Sequence, residues 1–215
     1  MNHLPTCLTH TTPAKRFAIL AALLLVATAA QAHTGHATAS LVDGLAHPLG
    51  LDHLLAMVAV GLWSVTVLPV SRAWWGPATF MLALVASAAL GAMGVTVPFL
   101  EHLISLSVVL FGVMLIAGSQ QNRGQKLPVS GGLGLIALAA ALHGLAHGAE
   151  APVAGVASAF TSYAVGFLLT TAALHAVGVM VGLGLRRSIA QRASWAMTGL
   201  GALLGGAGVY LFSQV

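Results

Sequence analysis

Residues 133–150 read LGLIALAAALHGLAHGAE, and this stretch decides the fold. Its first ten residues are all Leu, Ile, Ala or Gly, and no carboxylate or basic side chain appears before Glu150. A helix needs about 20 predominantly apolar residues to cross the hydrocarbon core of a bilayer. The stretch therefore predicts a membrane-spanning helix that carries two histidines and a carboxylate near one end.

The rest of the chain has the same apolar character. Hydrophobic residues make up 58% and charged residues only 6%, whereas a soluble domain carries about 25% charged residues. This composition excludes a water-soluble globular fold. We predict an all-α integral membrane protein, a six-transmembrane-helix bundle within residues 47–215. Its apolar segments lie near 49–69, 77–96, 98–118, 129–149, 155–185 and 194–213.

Residues 1–32 are typical of a secretory signal peptide. A basic pair precedes an apolar run over residues 17–30, and a small-x-small cleavage site occupies residues 30–32. Cleavage would leave residues 33–46 as a periplasmic segment that begins with His33. An uncleaved signal anchor is the alternative, and it also places His33 outside the cytoplasm.

The distribution of basic residues predicts the orientation. All the basic residues after the signal fall in alternate loops between the predicted helices: Arg72, Arg123, Lys126, Arg186, Arg187 and Arg192. Because Lys and Arg accumulate in short cytoplasmic loops, both mature termini are expected in the periplasm, with the chain in a bacterial inner membrane. The pI near 10 rests on only eight Lys and Arg against four acids, without a basic run, so nucleic acid is not an expected partner.

All four acidic residues are predicted on the opposite, external side: Asp43, Asp52, Glu101 and Glu150. Three of them have histidines beside them. A carboxylate near the membrane interface costs little free energy, so interfacial charge is the plain alternative to a function. The single cysteine, Cys7, lies in the predicted signal peptide, which leaves His, carboxylate, Met and backbone groups as metal ligands.

The clearest ligand pattern is a stripe on the fourth helix. His143, His147 and Glu150 follow the spacing i, i+4, i+7, which places them within about 60° of one another on one face. They offer two nitrogen ligands and one oxygen ligand. Packing histidines that are hydrogen-bonded to neighbours are the alternative, although such polar groups are costly in a bilayer without a partner.

The start of the first helix also pairs an acid with a histidine. His47, Asp52 and His53 lie around the opening turn of the first helix, where a carboxylate is favoured by the helix dipole. Met57, one turn below His53, is expected in the core rather than as a thioether ligand.

Three further groups of residues extend a predicted metal path. Glu101 and His102 open the third helix, and either residue could instead be a solvated cap. His175 lies deep in the fifth helix, either as a further ligand or bonded to a neighbouring carbonyl. His33 and His36 could capture a cation together with the free α-amino group, or do nothing specific.

Four stretches together resemble the HupE/UreJ family of nickel and cobalt permeases. They are HPLGLDHLLAMVAVGLW (47–63), EHLISLSVVLFG (101–112), LHGLAHGAEAP (142–152) and GFLLTTAALHAVG (166–178). The resemblance covers essentially the whole mature chain. The family motif HPxxGxDH has one more residue than HPLGLDH in this chain.

The resemblance implies a secondary transporter that imports Ni²⁺ or a related ion for hydrogenase or urease maturation. The family's motifs would map onto His47, Asp52 and His53, and onto His143, Gly144, His147 and Glu150. Imidazole and carboxylate ligands suit Ni²⁺, Co²⁺ and Zn²⁺ alike, so nickel follows from the resemblance and not from ligand type.

Two other classes of protein remain open. An intramembrane metal-dependent hydrolase could use the His143-x-x-x-His147 pair to hold a catalytic zinc, although no separate nucleophile or general base stands out. An accessory protein could bind metal without moving it. No GxxxxGK[ST] nucleotide motif is present, so we predict a secondary transporter that is not an enzyme and has no prosthetic group, with lipid and a divalent metal ion as its partners. The sequence leaves its oligomeric state open.

Overall fold

The computed structural model describes residues 40–121, 128–150, 157–189 and 192–215. The predicted signal peptide, His33 and His36 lie outside the described residues, as do Arg123 and Lys126.

The described residues fold into α-helices joined by short connections, which confirms the all-helical prediction. The helices are α1 (Leu41–Ala46), α2 (Leu51–Val67), α3 (Trp75–Ala92), α4 (Leu100–Ser119), α5 (Val129–Glu150), α6 (Ala157–Ser188) and α7 (Ala193–Phe212). Short 3₁₀ turns cover His47–Leu49 and Val70–Arg72. Within the described residues, five helices are long and apolar enough to cross a membrane, and six spans result if the bent α1–α2 pair is one.

Large apolar side chains cover the outside of the bundle. Leu82 on α3 is 73% exposed and Leu203 on α7 is 72% exposed, and similar side chains face outward on α4, α5 and α6. Burial of such residues is what normally stabilises a soluble protein. Their position on the surface identifies a membrane protein whose outer face meets lipid.

The first predicted span begins earlier than the sequence indicates. The segment from Leu41 to Leu49 is already helical or in a 3₁₀ turn, and it meets α2 at a bend of 75°. The backbone of Gly50 has ψ 139°, which interrupts the helix, and the preceding 3₁₀ turn contains Pro48. Helix breaks at membrane depth are tolerated where they line a protein site, because the freed backbone groups are satisfied there.

The predicted external segment that contains Asp43 is helical from Leu41 onward. Asp43 lies in the first turn of α1 and forms a capping box with Ser40, whose side chain accepts a hydrogen bond from the Asp43 backbone. In return, the Asp43 carboxylate accepts hydrogen bonds from the Ser40 backbone N–H and hydroxyl. This carboxylate therefore has a structural role at a helix start.

Glycines bring the helices together in pairs. A Cβ on Gly144 of α5 would collide with the Leu84 carbonyl of α3, and one on Gly112 of α4 would lie 2.6 Å from the Gly201 carbonyl of α7. Similarly, a Cβ on Gly61 of α2 would lie 2.5 Å from the His175 carbonyl of α6. Close backbone approach at small residues is how helices associate in lipid. The Gly201-x-x-x-Gly205 motif accordingly packs within this chain, against α4.

The pairing gives the bundle one acidic end and one basic end. Helices α2 and α4 run parallel, because Gly118 near the end of α4 packs on Val67 at the end of α2. At this end the Arg186 guanidinium donates a hydrogen bond to the Val65 carbonyl. Asp52 and Glu101 lie at the opposite end, in the first turns of α2 and α4. The described charges therefore separate along the bundle as the sequence predicts.

Candidate functional site

An inner cluster of three histidines lies where α2 meets α5. One ring nitrogen from each of His53, His143 and His147 lies within 4.8 Å of the others, and all three side chains are buried. Each histidine also has a buried ring nitrogen with no hydrogen-bond partner: Nε2 of His53, Nδ1 of His143 and Nε2 of His147. Buried polar atoms are nearly always paired, so three unpaired nitrogens together indicate a site that could hold a ligand. Imidazole nitrogens are good ligands for divalent first-row metals.

The carboxylate of Asp52 orients the ring of His53. The distance from His53 Nδ1 to Asp52 Oδ1 is 2.8 Å, and the same oxygen accepts a hydrogen bond from the His53 backbone N–H at 2.9 Å. Since an ionised carboxylate only accepts, Nδ1 of His53 carries a proton, and in the neutral ring the lone pair is then on Nε2. A carboxylate behind a histidine in this way is the usual arrangement around a bound metal. The structure thus places Asp52 beside His53 and outside the two groups of candidate ligands, whereas the sequence offered Asp52 as a candidate ligand.

Ser107 of α4 sets the tautomer of His143. The hydroxyl of Ser107 donates to the Ile104 carbonyl at 2.6 Å and lies 2.9 Å from Nε2 of His143. A hydroxyl has one proton, so Ser107 must accept from the Nε2–H of His143. The lone pair of His143 is therefore on Nδ1, the nitrogen that has no partner. Asp52 and Ser107 together leave two lone pairs free for a metal ion.

An outer cluster adjoins the inner one. Ligand atoms of His47, His147 and Glu150 lie within 4.8 Å of one another. Nε2 of His47 is 2.9 Å from Nδ1 of His147 and 3.7 Å from Oε2 of Glu150. The Glu150 side chain is 46% exposed, whereas that of His47 is 17% exposed. The outer cluster is therefore the more accessible of the two and carries a carboxylate.

His147 belongs to both clusters. Its Nδ1 faces His47, which leaves Nε2 for His53 and His143. The predicted stripe of His143, His147 and Glu150 is thus divided, with His147 as the common member. The ring of Phe167 on α6 packs edge-on against His147, with the ring centroids 4.5 Å apart.

His175 of α6 lies apart from both clusters. Its Nδ1 donates a hydrogen bond to the Thr171 carbonyl at 2.7 Å, as the plainer sequence alternative expected. Its Nε2 is nevertheless buried without a partner. Phe80 of α3 packs against His175 with the ring centroids 4.9 Å apart, and against His143 at 5.7 Å.

Glu101 and His102 join neither cluster among the described residues. Glu101 is exposed in the first turn of α4. The ring of His102 packs against Phe212 at the end of α7, with the centroids 5.1 Å apart. Met57 is fully buried in the apolar core, as predicted.

An apolar cleft of about 290 Å³ lies between α3, α5 and α6, and His147 forms part of its lining. Its other described walls are alkyl and aromatic, including Leu84, Tyr163 and Phe167. These walls offer few polar groups to a cation, whereas Glu150 and His47 lie on the other side of His147.

Sequence reasoning missed Ser107 and Phe80. Serines in apolar helices usually bond their own backbone, as Ser64 and Ser87 do here. The sequence gives no signal that Ser107 also meets a histidine from another helix. Phe80 is likewise indistinguishable from an ordinary core aromatic.

The fold and the site define a helical membrane protein with histidine clusters that are suited to holding a divalent metal ion. A family model described as "HupE / UreJ protein" matches residues 21–211. The chain belongs to this family, as the sequence motifs indicated. Protein HupE of Rhizobium leguminosarum bv. viciae is 38% identical over 160 residues, which cover 74% of this chain and 78% of that protein. No solved structure matches the chain.

Proposed function

We propose that this protein is a secondary transporter that imports a divalent metal ion, Ni²⁺ or Co²⁺, for hydrogenase or urease maturation. The observation that carries the proposal is the inner cluster, whose buried ring nitrogens lack partners inside a membrane-spanning bundle. The choice of nickel or cobalt is supported by membership of the HupE/UreJ family. The ion is cargo, and the proposal includes no prosthetic group.

The order of the clusters suggests how an ion enters. The outer cluster offers Glu150, whose charge partly offsets that of a dication before the ion loses its water. His147 is also a member of the inner cluster, but through Nε2 instead of Nδ1. An ion that moves inward therefore changes its bond from one ring nitrogen to the other, and the ring proton moves from Nε2 to Nδ1. Because the two clusters adjoin at this ring, ligands of the inner cluster lie close by when the outer ones are released, which avoids a fully uncoordinated ion in a medium of low dielectric constant.

We further propose that residues 1–32 are a cleaved signal peptide and that residues 33–46 are a periplasmic segment that begins with His33. Residues 47–215 would form the transport domain in the bacterial inner membrane, with the acidic end of the bundle facing the periplasm. Single cysteines introduced at Gln121 and Ser213 test this orientation. An impermeant thiol reagent added outside should label the cysteine at position 213 only, and labelling of position 121 alone would reverse the proposed direction.

The functional test compares two carboxylate-to-amide variants. Glu150→Gln keeps size and hydrogen bonding but removes the charge in the outer cluster, so nickel accumulation at limiting external nickel should fall severely. Asp43→Asn is the matched control, because Asp43 serves the α1 cap and its amide can still accept from Ser40. Uptake is normalised to membrane protein level. If Glu150→Gln accumulates nickel as the parent does, the outer cluster is not part of the path.

A reconstituted system separates transport from the other two classes. Purified protein in liposomes should move Ni²⁺ down its gradient. Binding without flux would indicate an accessory protein, whereas metal-dependent ester or peptide hydrolysis would indicate an enzyme.

A further inference from the structure

Phe80 occupies an unusual place in the core. Its side chain is fully buried, and its ring packs against His143 of the inner cluster and against His175. Both histidines carry a buried ring nitrogen with no hydrogen-bond partner. The Phe80 ring, which has no lone pair to offer a metal ion, therefore contacts two histidines that could each bind one.

His175 lies closer than the two clusters to the basic end of the bundle. On α6, Phe167 packs against His147, and His175 follows eight residues later in the direction of Arg186. At 1.5 Å per residue this is about 12 Å further along the helix.

The hydrogen bonding of His175 matches that of the inner histidines. Its Nδ1 proton is held by the Thr171 carbonyl, so its lone pair lies on Nε2. A backbone carbonyl behind a histidine is one of the usual partners of a metal ligand. His175 is thus prepared to accept an ion.

We propose that Phe80 is the barrier between the inner cluster and His175, and that an ion leaves the inner cluster for His175 when the Phe80 ring rotates aside. This inference rests on the proposed transport function. In its resting position the buried phenyl ring lies between the inner cluster and His175 and occupies space that water would otherwise enter. Rotation between side-chain rotamers would open the path without a rearrangement of whole helices.

The first experiment removes the ring. Phe80→Ala is compared with Phe111→Ala, which deletes the same atoms from a fully buried position on α4 in the same core. Among the described residues no ring contact joins Phe111 to a histidine. In proteoliposomes loaded with NiCl₂, downhill efflux should be several-fold faster for Phe80→Ala than for Phe111→Ala, with NiCl₂ affinity in detergent unchanged. Equal efflux from the two variants would overturn the barrier.

A second variant keeps the test decisive if Phe80→Ala does not fold. His175→Leu keeps a side chain of similar size but removes the accepting nitrogen. It should lose at least about tenfold in flux while NiCl₂ still binds at the inner cluster, and retained flux would overturn the role of His175. His143→Leu, in contrast, should lose binding as well. If the parent itself neither binds nor moves Ni²⁺, the proposed function fails instead.

Discussion

Replacing Ser107 by alanine tests how the inner cluster is prepared for an ion. In the parent, the Ser107 hydroxyl accepts from Nε2–H of His143 and so keeps the lone pair on Nδ1. In Ser107→Ala, a metal on Nδ1 forces the Nε2 proton to remain buried without an acceptor. In the metal-free variant the ring is free to change tautomer or turn, so the cost falls mainly on the bound state.

The expected loss follows from the cost of an unpaired buried donor. That cost is about 1–3 kcal/mol, and since 1.4 kcal/mol is tenfold in affinity, the Kd for Ni²⁺ should rise about 5- to 150-fold. Isothermal titration calorimetry of the detergent-solubilised protein measures this change directly. Thermal unfolding without metal should change much less.

Ser105→Ala is the matched control. Ser105 is also buried on α4, but its carbonyl lies against Gly208 of α7. The variant removes the same hydroxyl two residues away and should bind Ni²⁺ as the parent does. The reasoning is refuted if Ser107→Ala binds within about twofold of Ser105→Ala while His143→Ala binds poorly.

Three other outcomes follow from the structure. Asp52→Asn should raise the Kd for Ni²⁺ by about 10- to 100-fold, as loss of a supporting carboxylate does elsewhere, whereas Asp43→Asn should leave it unchanged in the same titration. His147→Ala should abolish nickel binding at both clusters in equilibrium dialysis, because the two clusters share the His147 ring, which has one lone pair when neutral. If the variant retained substantial bound nickel, the clusters would bind independently of each other. Gly144→Ala should lower the unfolding temperature, since the added Cβ meets the Leu84 carbonyl and overpacking costs about 1–3 kcal/mol. Gly134→Ala, on the same helix with open space around it, should not, and equal melting of the two variants would contradict the close α3–α5 contact.

Sequence alone determined where the helices lie in the chain and at which end of the bundle their charged groups lie. The limits of α4, α5 and α7 lie within about two residues of the predicted segments, because the length of an apolar run is set by bilayer thickness. The separation of acidic and basic ends was equally readable, since it depends only on loop order and charge. The exception was the helix upstream of Gly50, where polar residues hid the continuation of the span.

Only the tertiary structure decided which histidines meet. His53 comes from α2 and His143 and His147 from α5, and their convergence depends on how each helix is rotated about its axis. That rotation is fixed by close contacts such as that of Gly144 of α5 with α3 and that of Gly61 of α2 with α6. A helical repeat in the sequence cannot specify these contacts. For the same reason the sequence placed Glu150 in one stripe with His143 and offered Asp52 as a candidate ligand. It indicated no role for Ser107 or Phe80. A one-dimensional pattern places a side chain on a face of its own helix, whereas its partner is chosen by the packing of other helices against that face.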